Sequence, residues 1–440
     1  SILTDESRVR NAVSAVTMAE GESEGDKAAD QVPGSLPEEF LQFLDANGVP
    51  KEVFTGAIRQ EIPRYVRVNP RGPFADLSPA ERQKAISQAL QTEQSAVQLV
   101  QWLRAGEVTD HRYMEVYACP ASSNLSRTEA YRNGSLYGVD AASVFAVCCL
   151  QPRPKDHILD LCCAPGAKLC TLSDAVGPDG TVTGVDVAEQ RLAACRTVLR
   201  KYGILNVKLS LGDGTTWRPN TAEWFSLEAP PRGRGQRGRK RRFEEKAKAE
   251  TAAATADTAD RADRNESYDR VLVDAECTHD ASCRHLEKFR TQWGLDSLSG
   301  RVPWIRQEGL FDLQLGLLST GFALLKEGGY LVYATCSLCQ RQNEDVVDSL
   351  LKQNPSAALS ALPLPLCAAN LREPSSSAPA RPSLLEAGGP KGGGQYCTAR
   401  FDPVTSGTSG LFIARLQKLK AVEQISKAES PGPAVAPHCR

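Results

Sequence analysis

Residues 156–186 read DHILDLCCAPGAKLCTLSDAVGPDGTVTGVD, and this stretch decides the fold class. The short apolar run at 158–161 is typical of a buried strand, and a small Gly-containing turn follows it. A helical pattern starts at Ala167 and ends at the Gly-Pro-Asp-Gly turn of 177–180. The β-branched residues of 181–185 then predict a second strand. Strand, helix and strand in this order predict a parallel β-α-β unit.

The same alternation continues on the C-terminal side of this unit. Apolar residues of 192–202 share one helical face, and a third strand is predicted at 207–211. Two more strands are predicted at 270–273 and 330–333, and we expect residues 411–416 to return to the sheet and close it. We therefore expect an α/β fold of the Rossmann-like type, in which helices cover both faces of a parallel sheet.

Composition divides the rest of the chain. Residues 1–34 are charged and lack apolar periodicity, which predicts a disordered N-terminal segment. We expect residues 35–130 to form a smaller N-terminal accessory domain, residues 131–417 to form the main domain, and residues 418–440 to be a tail. Two biased stretches of the main domain, one rich in Arg and Gly and one rich in Pro, Ser and Gly, are expected to be flexible insertions: 228–266 and 355–395.

Within the accessory domain, residues 35–115 are expected to form a compact, mostly helical unit. Residues 64–68 alternate like a strand. Five apolar residues fall near helical spacing: Ile86, Leu90, Val97, Val100 and Leu103. This spacing predicts helical structure as far as Leu103.

Composition and charge exclude several classes of protein. The chain carries 52 basic and 53 acidic residues, a net charge of −1, so any surface that binds a polyanion must be local. No apolar run approaches the roughly 20 residues that cross a bilayer, and residues 1–29 contain no secretory h-region. The 14 cysteines are therefore expected to be reduced thiols of an intracellular protein, in either the nucleus or the cytoplasm.

Acidic residues follow several of the predicted strands: Asp160, Asp186, Asp213 and Asp274. Open α/β sheets bind ligands at the carboxyl ends of their strands. The turn at 162–168 lacks GxGxxG spacing, which favours a nucleoside over a dinucleotide. Asp186 follows Gly166 by about 20 residues, the separation expected for a carboxylate that binds ribose hydroxyls. A single strand-end Asp can instead cap the next helix, but the set favours a ligand site.

Two cysteines follow the last two predicted parallel strands. Cys277 ends the sequence Asp-Ala-Glu-Cys, and Cys336 lies within Thr-Cys-Ser. Because these strands are expected to be neighbours, both thiols should face the ligand pocket from one edge of the sheet. A thiolate placed there can act as a covalent nucleophile.

Other interpretations of these cysteines carry less weight. Cys336 and Cys339 form a CxxC pair, which can be a redox motif or half of a zinc site. Two Cys-x-His pairs, at 277–279 and 283–285, could supply four zinc ligands, but their spacing matches no usual zinc motif. We therefore expect no metal site.

Taken together, these motifs resemble the NOL1/NOP2/Sun (RsmB-like) family of RNA cytosine-C5 methyltransferases. The matching segments are 160–168, Asp186, Asp213, 274–277, 335–337, 343–344 and 410–416. The resemblance covers roughly residues 65–75 and 131–417, without the two insertions.

The resemblance implies a class I S-adenosylmethionine-dependent methyltransferase domain that makes 5-methylcytosine. It implies that the cofactor contacts Cys162, Cys163, Ala164, Pro165, Gly166, Ala167, Lys168, Asp186, Asp213 and Asp274. It also implies tRNA or rRNA as the partner, with residues 35–130 as the candidate RNA-binding surface. We expect a monomer without membrane contact. The arginines of 228–266 are consistent with phosphate binding, nuclear import or a solvated linker.

In that family the cysteine matching Cys336 forms a covalent adduct with the base, and the one matching Cys277 assists release. A thiolate that adds at C6 of cytosine makes C5 nucleophilic enough to attack a sulfonium methyl group. An acid near N3 helps this addition, and Asp274 is placed for that role if burial raises its pKa. Lys168 could position this acid or bind the base.

The chain departs from the family pattern around the first cysteine. Glu276 stands where the family usually has Pro, and Thr278-His279 stands where Ser-Gly is common. Ala167 also replaces a second Gly. These departures motivate an alternative, a catalytically impaired RNA-binding or scaffold protein on the same fold.

Overall fold

The computed structural model describes residues 41–42, 45, 62–103, 113, 115–225, 227, 267–282, 309–362, 397–401 and 403–420. The predictions for 1–34 and 228–266 lie outside these residues, as do those for 363–395 and for the tail beyond 420. Within the described part, no helix has the length and apolar character of a bilayer-spanning segment.

The N-terminal part of the described chain forms a small antiparallel sheet in the order β2-β3-β1-β4. Its strands are β1 (Arg64–Val68), β2 (Gln98–Leu99), β3 (Val116–Cys119) and β4 (Leu136–Val139). Two helices accompany it, α1 (Pro79–Leu90) and α2 (Glu129–Arg132). The strand β1 pairs with both β3 and β4, so this sheet takes one strand from residues beyond 130.

The helix prediction for this region is wrong beyond Leu90. Gln91 adopts a left-handed conformation with φ 54°, and its N–H bonds back to carbonyls of the last turn, which ends α1. Val97, Val100 and Leu103 instead lie in short turns around β2. All three side chains are buried, so their spacing reflects burial and not an α-helix.

The larger sheet has nine strands, eight of them in the order β11-β13-β10-β9-β5-β6-β7-β8, with β12 pairing β13. Their bounds are β5 (His157–Asp160), β6 (Thr181–Asp186), β7 (Val207–Leu211), β8 (Glu223–Phe225), β9 (Tyr268–Asp274), β10 (Leu325–Thr335), β11 (Ala357–Leu359), β12 (Thr398–Phe401) and β13 (Leu411–Lys418). The central strands β10, β9, β5, β6 and β7 are parallel, as predicted. The outer strands are antiparallel, and β11 lies in a stretch predicted to be loop.

Helices cover both faces of this sheet, which confirms the predicted fold class. The described helices of this part are α3 (Ala141–Leu150), α4 (Ala167–Val176), α5 (Glu189–Lys201), α6 (Leu310–Leu324), α7 (Glu344–Gln353) and α8 (Pro403–Ser406). Alternate residues of β9 enter different cores: Leu272 joins the core under α3, α4 and α5, whereas Val271 and Val273 join the core under α6 and α7. This two-sided burial explains the continuous apolar runs of the central strands.

A buried ion pair joins the small sheet to the main domain. Arg67 of β1 lies 2.6 Å from the carboxylate of Asp174 on α4, and both side chains are almost fully buried. Arg71 contacts the same carboxylate at 2.6 Å. The guanidinium of Arg67 also stacks 4.1 Å from the ring centre of Tyr137 on β4. Since α4 follows the predicted cofactor turn, this pair ties the small sheet to the helix behind the site.

We expect Asp174→Ala to lower the free energy of unfolding by about 3–5 kcal/mol, because it leaves the buried Arg67 charge without its carboxylate. Urea denaturation followed by circular dichroism measures this change. The matched control is Asp348→Ala, which removes an exposed helical pair with Lys352 and should cost less than about 1 kcal/mol. Equal costs for the two variants would contradict a structural role for the buried pair.

Candidate active site

The two predicted catalytic cysteines meet at the carboxyl edge of the sheet. The strands β9 and β10 are parallel neighbours, with Asp274 opposite Ala334. Cys277 follows the first strand and Cys336 follows the second, and their sulfur atoms lie 3.4 Å apart. Cys277 is buried, whereas Cys336 is partly exposed and lines a cavity of about 240 Å³.

The same cavity contains the predicted pair Lys168 and Asp274. The Lys168 ammonium donates a hydrogen bond of 2.7 Å to the Asp274 carboxylate. Burial opposes the charged lysine, but Asp274 outweighs it and raises the pKa of Lys168. The site therefore holds a charged ammonium in the cavity that Cys336 also lines. Asp140 and Ser409, which the sequence analysis did not identify, also line this cavity.

Carboxylates gather at the neighbouring strand ends, as predicted. Asp160 is 1% exposed, and burial together with the charge of Asp274 raises its pKa to about 8. Burial also raises the pKa of Asp186, although Arg191 at 3.5 Å opposes this effect. A cationic ligand bound beside these carboxyl groups would offset the cost of ionising them, so the group suits a cationic ligand.

The predicted cofactor turn connects β5 to α4. Its bends are accommodated by Gly166, which precedes α4 with φ 106°, a conformation that favours glycine. Cys163 and Ala164 are buried, Cys162 is partly exposed, and Pro165 and Ala167 are exposed. The turn is fixed to the sheet because the Cys163 N–H bonds to a β6 carbonyl.

Asp213 lies at the same edge but is more exposed than the other carboxylates. Its carboxylate accepts hydrogen bonds from the N–H and the hydroxyl of Thr215, which shape the turn after β7. The preceding residue, Gly212, donates its N–H to the Asp186 carbonyl at 3.1 Å. Asp213 thus lies beside Asp186, and because β7 is farther from β9 and β10 in the strand order than β5 and β6 are, it is farther along this edge from the cysteines than Asp160 or Asp186.

The loop after Cys277 is bound to the loop after Cys336. Thr278 donates a 3.0 Å hydrogen bond to the Ser337 hydroxyl, and Asp280 accepts the N–H of Leu338 at 2.8 Å. The Ala281 N–H donates to the Cys336 carbonyl at 3.1 Å. These contacts between the two loops fix the positions of the two sulfur atoms relative to each other. Cys339 of the CxxC pair is buried beneath the second loop.

His279 is the main site residue that sequence reasoning missed. Its Nδ1 lies 2.9 Å from Cys336 Sγ and 3.7 Å from Cys277 Sγ. Its Nε2 lies 3.3 Å from Glu276 Oε1. The sequence analysis named His279 as one of four possible zinc ligands and as a departure from the family pattern, but gave it no catalytic role. Two of those four ligands, Cys283 and His285, lie outside the described residues. The sequence signal that could have identified His279 is a histidine two residues after the cysteine that follows a strand.

The two thiols have different surroundings. Burial, and next the contact with Cys336, raises the pKa of the Cys277 thiol well above its usual value. Burial opposes a charged His279, but the contacts with Cys277 and Glu276 outweigh it and raise the pKa of His279. Cys277 is thus held as a neutral thiol beside a basic imidazole.

The sequence profile of the family described as 16S rRNA methyltransferase RsmB/F matches residues 147–258 and 246–417. The chain belongs to this family. The resemblance found in the sequence motifs is therefore confirmed.

Curated relatives carry the name ribosomal RNA small subunit methyltransferase B. The protein of Enterobacter sp. (strain 638) is 26% identical over 255 residues, covering 57% of this chain and 46% of its own length. That of Salmonella paratyphi A is 28% identical over 225 residues, 50% of this chain and 39% of its own length. The matched region thus spans less than half the length of these relatives.

Solved structures share the fold. A methyltransferase homolog from Pyrococcus horikoshii aligns with a TM-score of 0.51 at 22% identity, covering 87% of this chain and 100% of that one. NSun6 from the same organism, solved with SFG, aligns with a TM-score of 0.52 at 17% identity, covering 87% and 98%. These likenesses support the Rossmann-like methyltransferase fold of the main domain.

Because the pKa of Asp160 is raised, we predict that the free energy of unfolding of the cofactor-free protein depends on pH. Between pH 4 and 8 the folded protein keeps this proton, which the unfolded chain has released, so the free energy of unfolding falls as pH rises. Asp160→Asn should remove this contribution, which reaches about 1.4 kcal/mol per pH unit. Urea titrations at about pH 5, 6, 7 and 8 measure how steeply the free energy of unfolding changes with pH. An unchanged slope in Asp160→Asn would contradict the assignment, and the control Asp348→Asn, at a side chain that is 43% exposed, should keep the slope of the unmodified chain.

Proposed function

We propose that this chain is an S-adenosylmethionine-dependent RNA methyltransferase that forms 5-methylcytosine through a bond between Cys336 and C6 of the base. The observation that carries this proposal is the meeting of Cys336, Lys168 and Asp274 on one cavity beside the acidic strand ends. Family membership supports the reaction class. The names of the curated relatives favour small-subunit rRNA as substrate, and tRNA is the second candidate.

The chemistry of the donor set fits S-adenosylmethionine. Bound there, the cofactor supplies a methyl group on a cationic sulfonium. Asp274 is ion-paired with Lys168, and a cationic ligand would favour the ionised form of the buried Asp160 beside it. Asp186 would accept the ribose hydroxyls, and the turn at 162–168 together with Asp213 would hold other parts of the cofactor. NSun6, a structural neighbour, was solved with SFG, an analogue of this cofactor.

Lys168 and Asp274 are proposed to recognise and activate cytosine together. The Asp274 carboxylate is ion-paired with Lys168, so the ammonium is the available donor toward N3 or O2 of the base. The carboxylate can accept from the exocyclic N4 amino group, a contact that uracil does not offer. When the Cys336 thiolate adds at C6, the nearby ammonium stabilises the charge that develops on the ring.

Cys277 is proposed to assist release of the product. After methyl transfer the C5 proton passes to a solvent water molecule, the C5–H electron pair forms the C5=C6 double bond, and the C6–S bond breaks with its electron pair returning to the Cys336 sulfur. The neutral Cys277 thiol, 3.4 Å away, can donate its S–H to that departing sulfur. This role needs a protonated thiol, which the burial of Cys277 favours.

The nucleophile is tested with RNA that contains 5-azacytidine, which retains a covalently bound protein. We expect the unmodified chain to form a denaturation-resistant adduct and Cys336→Ala to form none. Methyl transfer to ordinary RNA should fall on the order of 10³-fold or more in that variant. Cys339→Ala, a change in the same loop, is the matched control and should keep both activities. An adduct formed by Cys336→Ala would remove the assignment, and a folded chain that binds RNA without methyl transfer would support the scaffold alternative.

The release role is tested with ordinary cytosine-containing RNA. Cys277→Ala should accumulate a protein–RNA adduct that requires Cys336, because bond formation continues while release is slowed. Gel electrophoresis under denaturing conditions measures the adduct after incubation with S-adenosylmethionine. The double variant Cys277→Ala/Cys336→Ala should form none. A Cys277→Ala variant that turns over normally without adduct would show that Cys277 does not act in release.

A further inference from the structure

Three side chains form a line from the protein surface to the proposed nucleophile. Glu276 is half exposed, His279 is partly exposed, and Cys336 borders the cavity. Glu276 Oε1 lies 3.3 Å from His279 Nε2, and His279 Nδ1 lies 2.9 Å from Cys336 Sγ. Nε2 thus faces a carboxylate acceptor, and Nδ1 faces the Cys336 sulfur, with the Cys277 sulfur farther away at 3.7 Å.

The backbone holds His279 in this position. Its φ of 54° lies in the left-handed region, which a non-glycine residue adopts at some energetic cost. The flanking residues are anchored, since Thr278 bonds to Ser337 and the Ala281 N–H bonds to the Cys336 carbonyl. The conformation of His279 therefore keeps its ring against the Cys336 sulfur.

We propose that His279 is the proton acceptor for Cys336, with Glu276 orienting its ring. This inference rests on the proposed role of Cys336 as nucleophile. The Nε2–H donates to the Glu276 carboxylate, which leaves the Nδ1 lone pair facing the thiol. The S–H bond of Cys336 breaks and an N–H bond forms at Nδ1, which gives a thiolate beside an imidazolium. No other bond changes, and Glu276 offsets the new positive charge.

The surroundings direct this proton transfer to one of the two thiols. Among the described residues, the side chains of Glu276, Cys277 and Cys336 contact His279, and Arg191 lies 3.8 Å from the Glu276 carboxylate. Cys277 Sγ is farther from Nδ1, at 3.7 Å, and Cys277 is almost fully buried, which disfavours its thiolate. Cys336 is partly exposed, and its sulfur is the closer of the two to Nδ1, at 2.9 Å.

A metal ion explains these distances less well. Tetrahedral zinc with ordinary bond lengths separates a nitrogen from a sulfur ligand by about 3.6 Å and two sulfur ligands by about 3.8 Å. Here the separations are 2.9 Å between His279 Nδ1 and Cys336 Sγ and 3.4 Å between the two sulfur atoms. Both are shorter, so the arrangement suits hydrogen bonding.

The test measures alkylation of Cys336 by iodoacetamide from pH 5 to 10 on the full chain, without RNA or cofactor, with the modified peptide quantified by mass spectrometry. We expect the unmodified chain to react with a midpoint at least one pH unit below the ordinary thiol value of about 8.5. His279→Gln should move the midpoint to about 8.5 or higher and slow alkylation at pH 6.5 by about 10- to 100-fold. Glu276→Gln should give an intermediate shift. His157→Gln, on an exposed histidine at the start of β5, is the matched control and should leave the profile unchanged.

Methyl transfer supplies the second readout. His279→Gln should lower kcat at pH 6.5 and recover toward the unmodified rate by pH 9, with little change in KM, because hydroxide then generates the thiolate. A merely structural role would not produce this alkaline recovery.

Each outcome separates this inference from the proposed function. Identical alkylation profiles for the unmodified chain and His279→Gln would overturn the role of His279, whatever the methyl-transfer result. A low midpoint that disappears after treatment with EDTA would assign it to a bound metal ion and would also overturn the inference. A shifted profile in a chain without methyl transfer would keep the His279–Cys336 pair while the proposed function fails.

Discussion

The parallel pairing of β9 with β10 is the constraint on which the site depends. It places Asp274 opposite Ala334 and delivers Cys277 and Cys336 to one edge, with their sulfur atoms 3.4 Å apart. Side chains alternate between the two faces of the sheet. A slip of one residue in the pairing would therefore turn the side chains of one core toward the other. Burial on both faces therefore fixes the register, and the register fixes the distance between the thiols.

A second constraint acts from the side of the small sheet. Arg67 and Arg71 form ion pairs with Asp174 on α4. This helix begins after Gly166 and carries Lys168. An ion pair buried this deeply contributes little net stability, but removing one partner is costly. It therefore acts chiefly as a positioning device, since α4 cannot shift without exposing or separating these charges. The position of the Lys168 ammonium in the cavity therefore depends on the position of α4.

Much of this arrangement could be predicted from local pattern. The strands at 158–161, 181–185 and 207–211 carry enough apolar and β-branched residues to report burial on both faces, and parallel order then places their ends together. The extent of α1 could not be predicted, because Val97 and Leu103 are buried in turns that imitate helical spacing. The contact of His279 with Cys336 depends on one left-handed residue and on bonds between two loops, which no periodicity reports.

Electrostatics connects the cofactor region with the thiols. A thiolate at Cys336 adds negative charge to an edge where Asp160 already resists ionisation. Lys168 offsets part of that charge and is itself paired with Asp274. Arg191 lies between Asp186 at 3.5 Å and Glu276 at 3.8 Å, so it links the carboxylate at the end of β6 to the residue beside His279. In the proposed reaction, a sulfonium bound among these carboxylates would offset the negative charge of a Cys336 thiolate, and that thiolate would in turn favour binding of the cation.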